Sequence, residues 1–517
     1  MTRPLHRASR HVPEGARTKG RARRTIATLL SLTIAFPPVL AAPALASIAE
    51  EKKLGEEIVG QAISGLPLIH DYELLGFVRE IGARLVKTLG PQPFDYEFFV
   101  VRQDDVNAFA VPGGKLFVNA GLIARVDSVD ELAGVMGHEV AHAAAHHIIR
   151  QQEKAAAAGY ASLLGLLLGI INPGLAAASL AAGQAAALKY QRDFEREADF
   201  LGIGYTREAG YDPAAMMRLL RKISAEQQIN PTRVPPYFQS HPLSSERLTN
   251  LEAVLGRREW DSTTVKATHR LRRAQAIARG NAQTRDQVVP EFERNLAQAP
   301  PDQKADALEL LGVMMAHGEE YRTADGYLRQ AEAAGRNVDR ELGRTEFRRG
   351  NFAEARTRLN RVLGQSPDDW DTLADLATID SEEGKYEDAV VKLTRSVALE
   401  PYRGDVLRAL GRALAKTERE SAGFYWFGRA TEIDGDPRQA VIYYRRSLTG
   451  LPAKDPLRED IVKRMDKLGE ALDEQEAEIA RNGGDPQRRS PDVLRPQDSR
   501  RDDERNRRDD RVERKNN

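Results

Sequence analysis

Apolar residues recur three and four positions apart along most of this chain, and only one short stretch switches to a period of two. After Ser47, the positions Leu54, Ile58, Ile63, Leu74, Leu75, Val78, Ile81 and Leu85 keep helical spacing until Gly90-Pro91, so residues 47–89 read as helical. Tyr96 to Val101, Phe109 to Val111 and Leu116 to Val118 are instead rich in aromatic and β-branched side chains. They read as three short strands, the last two joined by the turn Pro112-Gly113-Gly114-Lys115. Ser128 with Glu131 three residues on is a capping box, and the helix it opens is expected to run from Val129 to beyond Arg150. Residues 155–188 carry no charge and are divided by Asn172-Pro173-Gly174. They read as a helical hairpin whose arms fall short of the ~20 apolar residues of a membrane span. Its readings are a buried pair, a lid, or a surface touching a membrane; burial with a partial lid is preferred, because alanine and glycine give little membrane affinity. A more polar helix follows over 189–205 and stops near Gly204 and Gly210.

Residues 260–480 are charged, helical in composition and punctuated by glycine, and they repeat. Gly350-Asn351-Phe352, Ala355 and Pro367 return as Gly384-Lys385-Tyr386, Ala389 and Pro401, each 34 residues later. That is the period of tetratricopeptide (TPR) repeats. Gly318, Tyr321 and Ala324 suggest an earlier, degenerate copy, and the segments around Ala422 and Pro437 a later one. Beyond residue 481 the chain is rich in Arg and Asp with no apolar period, cannot bury a core, and is expected to be disordered. The fold class is therefore mainly α. An α+β domain with a small sheet over 47–258 precedes an α-helical TPR solenoid over 259–480 and a charged tail over 481–517.

The first 46 residues have another use. Arg17, Lys19, Arg21, Arg23 and Arg24 precede the uncharged apolar run Thr25–Leu40, and Ala44-Leu45-Ala46 supplies small residues before Ser47. This is an export signal with cleavage expected near Ala46; Arg23-Arg24 leaves a twin-arginine route open beside the general one. Its removal takes away eight Lys/Arg and one Glu from a chain of zero formal net charge, leaving the mature chain at −7. Nothing in this balance argues for a nucleic-acid partner. With 517 residues, 29% charged and 41% hydrophobic, the chain is long enough for two or three folded units of ordinary soluble composition. It has no cysteine, so a metal site here must be built from imidazole and carboxylate.

His138-Glu139-Val140-Ala141-His142 offers such a site. On a helix, residues four apart share a face, ~6 Å apart along the axis, so two imidazoles can chelate one Zn²⁺ while Glu139 reaches an adjacent water. The surroundings, Ala133, Val135, Met136, Val140, Ala141 and Ala143, are apolar, and a buried His-Glu-His cluster among them calls for a metal. His146 lies ~12 Å along a continuous helix from His138, too far to share the ion, and His146 and His147 read as supporting or surface residues. No glycine turn leads to a third histidine. The third ligand is then expected from another helix, and Glu195 and Asp199, four apart, are the candidates. One can bind the metal while the other orients a histidine or handles a proton.

Asn107-Ala108-Phe109-Ala110-Val111-Pro112-Gly113-Gly114, the HExxH motif, Glu195 and Asp199 followed by Gly202, and Ser240-His241-Pro242 followed by Arg247 together resemble the HtpX and CAAX-prenyl-protease family of zinc peptidases. With an export signal, no adequate set of spanning helices and a repeat tail, the chain resembles most the periplasmic TPR-containing β-barrel assembly-enhancing protease group. The resemblance covers residues 50–255 by motif and the repeats in architecture only. One departure is Gln191 before Arg192, where the family often has serine.

The resemblance implies a gluzincin-type zinc metalloendopeptidase of the periplasm with one Zn²⁺ per chain, held by His138, His142 and Glu195. Glu139 is then the base, and Asp199 supports a metal-binding histidine or donates a proton. It further implies His241 as a fourth ligand or oxyanion contact and Arg247 as a group pairing with the site's carboxylates. Asn107, Phe109 and Ala110 would form an edge for an extended substrate. Expected substrates are misfolded or misassembled envelope and outer-membrane proteins. Envelope assembly proteins would bind the repeats, and peripheral membrane contact is possible. The alternative is a TPR chaperone or scaffold for outer-membrane protein assembly with latent protease activity.

Overall fold

The computed structural model describes residues 48–154, 184–229, 235–256 and 268–481. The expected export signal, nearly all of the uncharged hairpin and the charged tail lie outside the described residues. Among those described, no helix is long and apolar enough to cross a membrane.

The first expected helix is two. α1 (Ile48–Gly65) and α2 (Tyr72–Val86) are separated by Leu66-Pro67 and a two-residue strand, β1 (Leu68–Ile69). Pro67 has no N–H to continue the helix, and its carbonyl accepts the N–H of Arg102 instead. Three further strands, β2 (Glu97–Val101), β3 (Ala108–Val111) and β4 (Lys115–Asn119), fall within about a residue of their expected places. The sheet order is β1-β2-β4-β3; β2 runs parallel to β4 and β3 antiparallel to it, which leaves β3 at an edge.

Alternation sends the strands' side chains to two different cores. Phe98, Val100, Ala108, Ala110, Leu116 and Val118 join the main core with α2 and α4 (Val129–Ala144). Phe99, Val101, Phe109, Val111 and Phe117 form the other face, capped by Leu54, Ile58, Val59 and Ala62 of α1. Three rings stack across that face, with centroids 4.9 Å apart for Phe99–Phe117 and 5.0 Å for Phe109–Phe117.

α4 begins as the sequence predicts, with the Ser128 hydroxyl accepting the N–H of Glu131. It does not run beyond Arg150. It ends at Ala144, His146 takes the left-handed conformation (φ 53°), and α5 (His147–Lys154) starts afresh. The left-handed region is costly for a residue with a Cβ, and it is held here by outside contacts. The His146 Nδ1 lies 2.6 Å from the Glu51 carboxylate of α1, and Arg150 donates to the freed carbonyl of Ala145.

Short α3 (Ala120–Arg125) precedes α4, and α6 (Gln184–Glu208), α7 (Ala215–Ile229), α8 (Pro236–Ser240) and α9 (Ser245–Leu255) follow. From His269 to Arg481 the described chain is helical throughout, in antiparallel pairs such as Asp339–Arg348 with Phe352–Gln365 and Trp370–Glu382 with Tyr386–Leu399. The 34-residue period continues into the next pair. Gly384 (φ 76°) is matched by Glu418 (φ 61°), so the turn keeps its left-handed geometry after losing its glycine.

The repeat helices clasp the sheet-bearing part. Trp370 donates its indole N–H to the carbonyl of His70 at 2.7 Å and packs edge-on against Tyr72 at 4.8 Å. The Asp371 carboxylate accepts the N–H of Tyr72, Arg273 pairs with Glu73 at 2.9 Å, and Arg79 with Glu400 at 2.7 Å. Tyr402 donates to Glu97 and sits against Phe99. The described residues thus belong to one compact unit, with part of the repeat surface engaged by the chain itself.

Candidate metal centre

α4 and α6 approach unusually closely. A Cβ on Gly202 of α6 would lie 3.0 Å from both Cα and N of His138, and a Cβ on Gly137 would lie 3.2 Å from the Gly202 carbonyl oxygen. Two glycines facing each other let the helix backbones touch. The short side chains of Glu195 and Asp199 on α6 therefore reach the imidazoles of α4.

His138 Nε2 lies 3.0 Å from His142 Nε2 and 3.4 Å from a Glu195 oxygen, and His142 Nε2 lies 3.4 Å from the other Glu195 oxygen. Donors ~2.0–2.1 Å from one tetrahedral ion stand ~3.3 Å from each other. The Glu195 carboxylate thus straddles the imidazole pair, one oxygen toward each ring at close to that figure, and the donor set fits a zinc ion. His241 follows α8 and adds a fourth corner, its Nδ1 being 3.0 Å from Glu195 and 3.4 Å from His138 Nε2. Its ring rests against buried Tyr237 at 4.9 Å. A second group of suitable donors, His269, Asp306 and Glu309, is already neutralised by Arg272, Arg273 and Arg336.

The residues behind the donors are also fixed. Arg247 is buried in the first turn of α9 and forks onto Asp199 with bonds of 2.7 and 2.8 Å; the third guanidinium nitrogen lies 2.7 Å from Glu195. Asp199 in turn lies 3.1 Å from the Nδ1 of His138. Glu139, also buried, points between His241, 3.3 Å away, and the strand, where its carboxyl accepts the backbone N–H of Ala110.

Burial works against charge throughout the cluster, so the residual shifts show which charges the pocket prefers. For His138, burial is outweighed by Asp199 and Glu195, and its pKa is pushed up to about 9. For His142 burial wins, taking the pKa down to about 3. Glu195 stays well below the usual range despite burial, because His241 and Arg247 face it, and Asp199 is lowered chiefly by Arg247. Burial raises Glu139, against His241 and His138. With two carboxylates ionised and only Arg247 as a permanent cation, the pocket holds an added positive charge on His138, where a dication would supply it. One buried oxygen of Glu139 lacks a hydrogen bond, and one of Glu195 is held by its ion pair with Arg247 without a hydrogen bond's alignment.

The residues expected at the site gather here with one correction. Asn107, Phe109 and Ala110 do not act alike. The Phe109 side chain lies in the ring stack on the far face of the sheet, and the Asn107 carbonyl is taken by the N–H of Asn119. Of the three, Ala110 reaches the cluster. Of the two places expected for His147, supporting or surface, the structure shows the first. His147 is buried, with its Nδ1 3.0 Å from the Nδ1 of His142.

Residues 76–255 match the family model described as peptidase family M48. The chain is 33% identical over 217 residues to the beta-barrel assembly-enhancing protease of Yersinia pestis, covering 40% of this chain and 44% of that protein. It is 32% identical over 212 residues to the protein of that name in Escherichia coli (strain K12), covering 40% and 43%. To the mitochondrial metalloendopeptidase OMA1 of Schizosaccharomyces pombe it is 30% identical over 217 residues, covering 39% and 60%. The chain thus matches about half of these relatives' own lengths.

Proposed function

Because residues 76–255 belong to peptidase family M48, close to the β-barrel assembly-enhancing proteases, we propose that this chain is a zinc-dependent metalloendopeptidase. One observation carries the reading: the His138 and His142 Nε2 atoms lie 3.0 Å apart and each faces a Glu195 oxygen at 3.4 Å, separations suited to the donors of one ion. When bound, zinc lowers the pKa of water and polarises a carbonyl.

The remaining work falls to the chain. Glu139 is buried and raised in pKa, so it is placed to take the proton of the attacking water and return it to the leaving amine. Asp199 orients His138. Its carboxyl is held low and forked by Arg247, which suits holding a ring more than giving up a proton. The His241 Nε2 beside Glu139 is placed to face the oxyanion. The Asn119–Asn107 bond sets the ladder so that Phe109 and Val111 bond to β4, while Ala108 and Ala110 turn their backbone groups to the free edge, where Glu139 already holds the Ala110 N–H. A substrate strand pairing there would be extended, which favours unfolded or unpaired β segments.

Misfolded or misassembled envelope and outer-membrane proteins are the proposed substrates, after export and cleavage near Ala46 into the periplasm. Residues 47–258 form the peptidase part and 259–480 the repeats, whose remaining surface would meet assembly partners. The test is Glu139→Gln in the full chain. It should keep its zinc and lose cleavage of casein and of an unfolded barrel protein; cleavage at the unmodified rate would refute the assignment. His241 at the fourth corner favours a second reading, a scaffold whose peptidase is latent. A cellular phenotype unchanged by Glu139→Gln would favour it.

A further inference from the structure

A metal-bound imidazole needs a partner for its other nitrogen, and that partner fixes ring orientation and tautomer. For His138 the partner is Asp199, at 3.1 Å from Nδ1. For His142, whose Nε2 faces the other donors, the Nδ1 meets no carboxylate; it meets the Nδ1 of His147 at 3.0 Å. Two facing nitrogens form a hydrogen bond only if one carries the proton. If His142 binds metal through Nε2, its Nδ1 is the donor and the His147 Nδ1 the acceptor. The His147 proton then sits on Nε2, which faces the Glu197 carboxylate at 3.3 Å without the alignment of a hydrogen bond. The Phe194 ring stacks on His147 at 4.6 Å, and Arg150 pairs with Glu197 at 3.0 Å.

The backbone builds this arrangement. On an unbroken helix, His147 would point about 140° away from His142. The left-handed turn at His146 re-aims it.

We infer that His147, with Glu197 behind it, is a positioning residue for the metal ligand His142, accepting the Nδ1–H of that ring while its own Nε2–H faces a carboxylate. This rests on the metallopeptidase reading, and its test reads metal binding rather than activity. Zinc affinity of the full chain is measured by competition with a chromophoric chelator, together with the absorption spectrum of the cobalt(II) form. His147→Asn places an acceptor where Nδ1 stood and should bind zinc within a few-fold of the unmodified chain. His147→Phe keeps a ring against Phe194 but no acceptor, and should bind ~10–100-fold more weakly with an altered cobalt spectrum. Should the phenylalanine variant melt early without metal, His147→Leu takes its place. The reverse order, with Asn weak and the acceptor-free variant normal, would mean the ring merely fills space and would overturn the inference. If the unmodified chain takes up no zinc, the metallopeptidase reading falls first and the positioning role with it; if it binds zinc and the order is reversed, only the positioning role falls.

Discussion

The closest backbone approach in the site gives the sharpest prediction. Gly202→Ala adds one methyl group 3.0 Å from Cα and N of His138 and 3.2 Å from the Gly137 carbonyl carbon. These are backbone atoms, which cannot rotate aside. Carbon contacts relax to ~3.5–4.0 Å, so α6 must retreat by roughly 0.5–1 Å. Glu195 lies seven residues earlier on the same helix and moves with it. A bond of ~2.0 Å from metal to carboxylate tolerates only ~0.2 Å before it is no longer a proper ligand contact. The variant should lose ~1–3 kcal/mol of stability from overpacking. Zinc affinity should fall at least ~10-fold and cleavage ~100-fold, the usual effect of an ångström-scale misplacement. Gly204 is the control, since a Cβ there meets nothing within 4 Å. Gly204→Ala should leave zinc binding alone and add ~0.5–1 kcal/mol through helix propensity. Denaturant unfolding of the metal-free chains and chelator competition on the loaded ones measure both effects. Unmodified zinc affinity in Gly202→Ala would mean that helix contact does not set the site, and the argument from α4–α6 proximity would fail.

Three other outcomes are expected. Arg247→Met leaves the buried carboxylates of Glu195 and Asp199 without their counter-charge and should cost ~3–5 kcal/mol in the metal-free chain by denaturant unfolding, with Arg247→Lys intermediate because it keeps the charge and loses the fork. Trp370→Ala empties the contact with Tyr72 and His70 and should cost ~3–5 kcal/mol, opening the junction between the repeats and α2 to limited proteolysis before the rest of the chain. Burial, and then Arg344 and Arg273 against Glu73 and Asp371, press the His317 pKa down to about 3. Its stabilising contribution is therefore complete above the unfolded value of ~6.5 and is lost as pH falls toward 3. Asp71, raised to about 7 by burial and Asp371, acts with the opposite sign over pH 4–7. His317→Gln should accordingly flatten the acid limb of a melting-temperature profile between pH 6.5 and 3.

Local signals carried far. The i,i+4 histidines, the Glu195–Asp199 spacing and three strands could be read from the chain because each is set by neighbours a few residues away. The same alternation could have told the edge residues apart: if Ala108 and Ala110 share the face toward α4, Phe109 must face the other way, and its ring belongs to a core rather than to a substrate. β1 gave no sign of itself because two residues hold no period, and only pairing with β2 makes Leu68 and Ile69 a strand. Trp370 and Tyr72 are about 300 residues apart, and nothing in either segment says that the other will cover it. The break at His146 is the most instructive miss. A glycine there would have announced the turn, whereas histidine in an alanine-rich run reads as more helix. What overrides that propensity is a carboxylate 95 residues away, Glu51, which holds the ring while the chain reverses its twist. Continued helical periodicity would therefore have turned His147 away from His142, and the turn held by a single tertiary contact puts it behind a metal ligand instead.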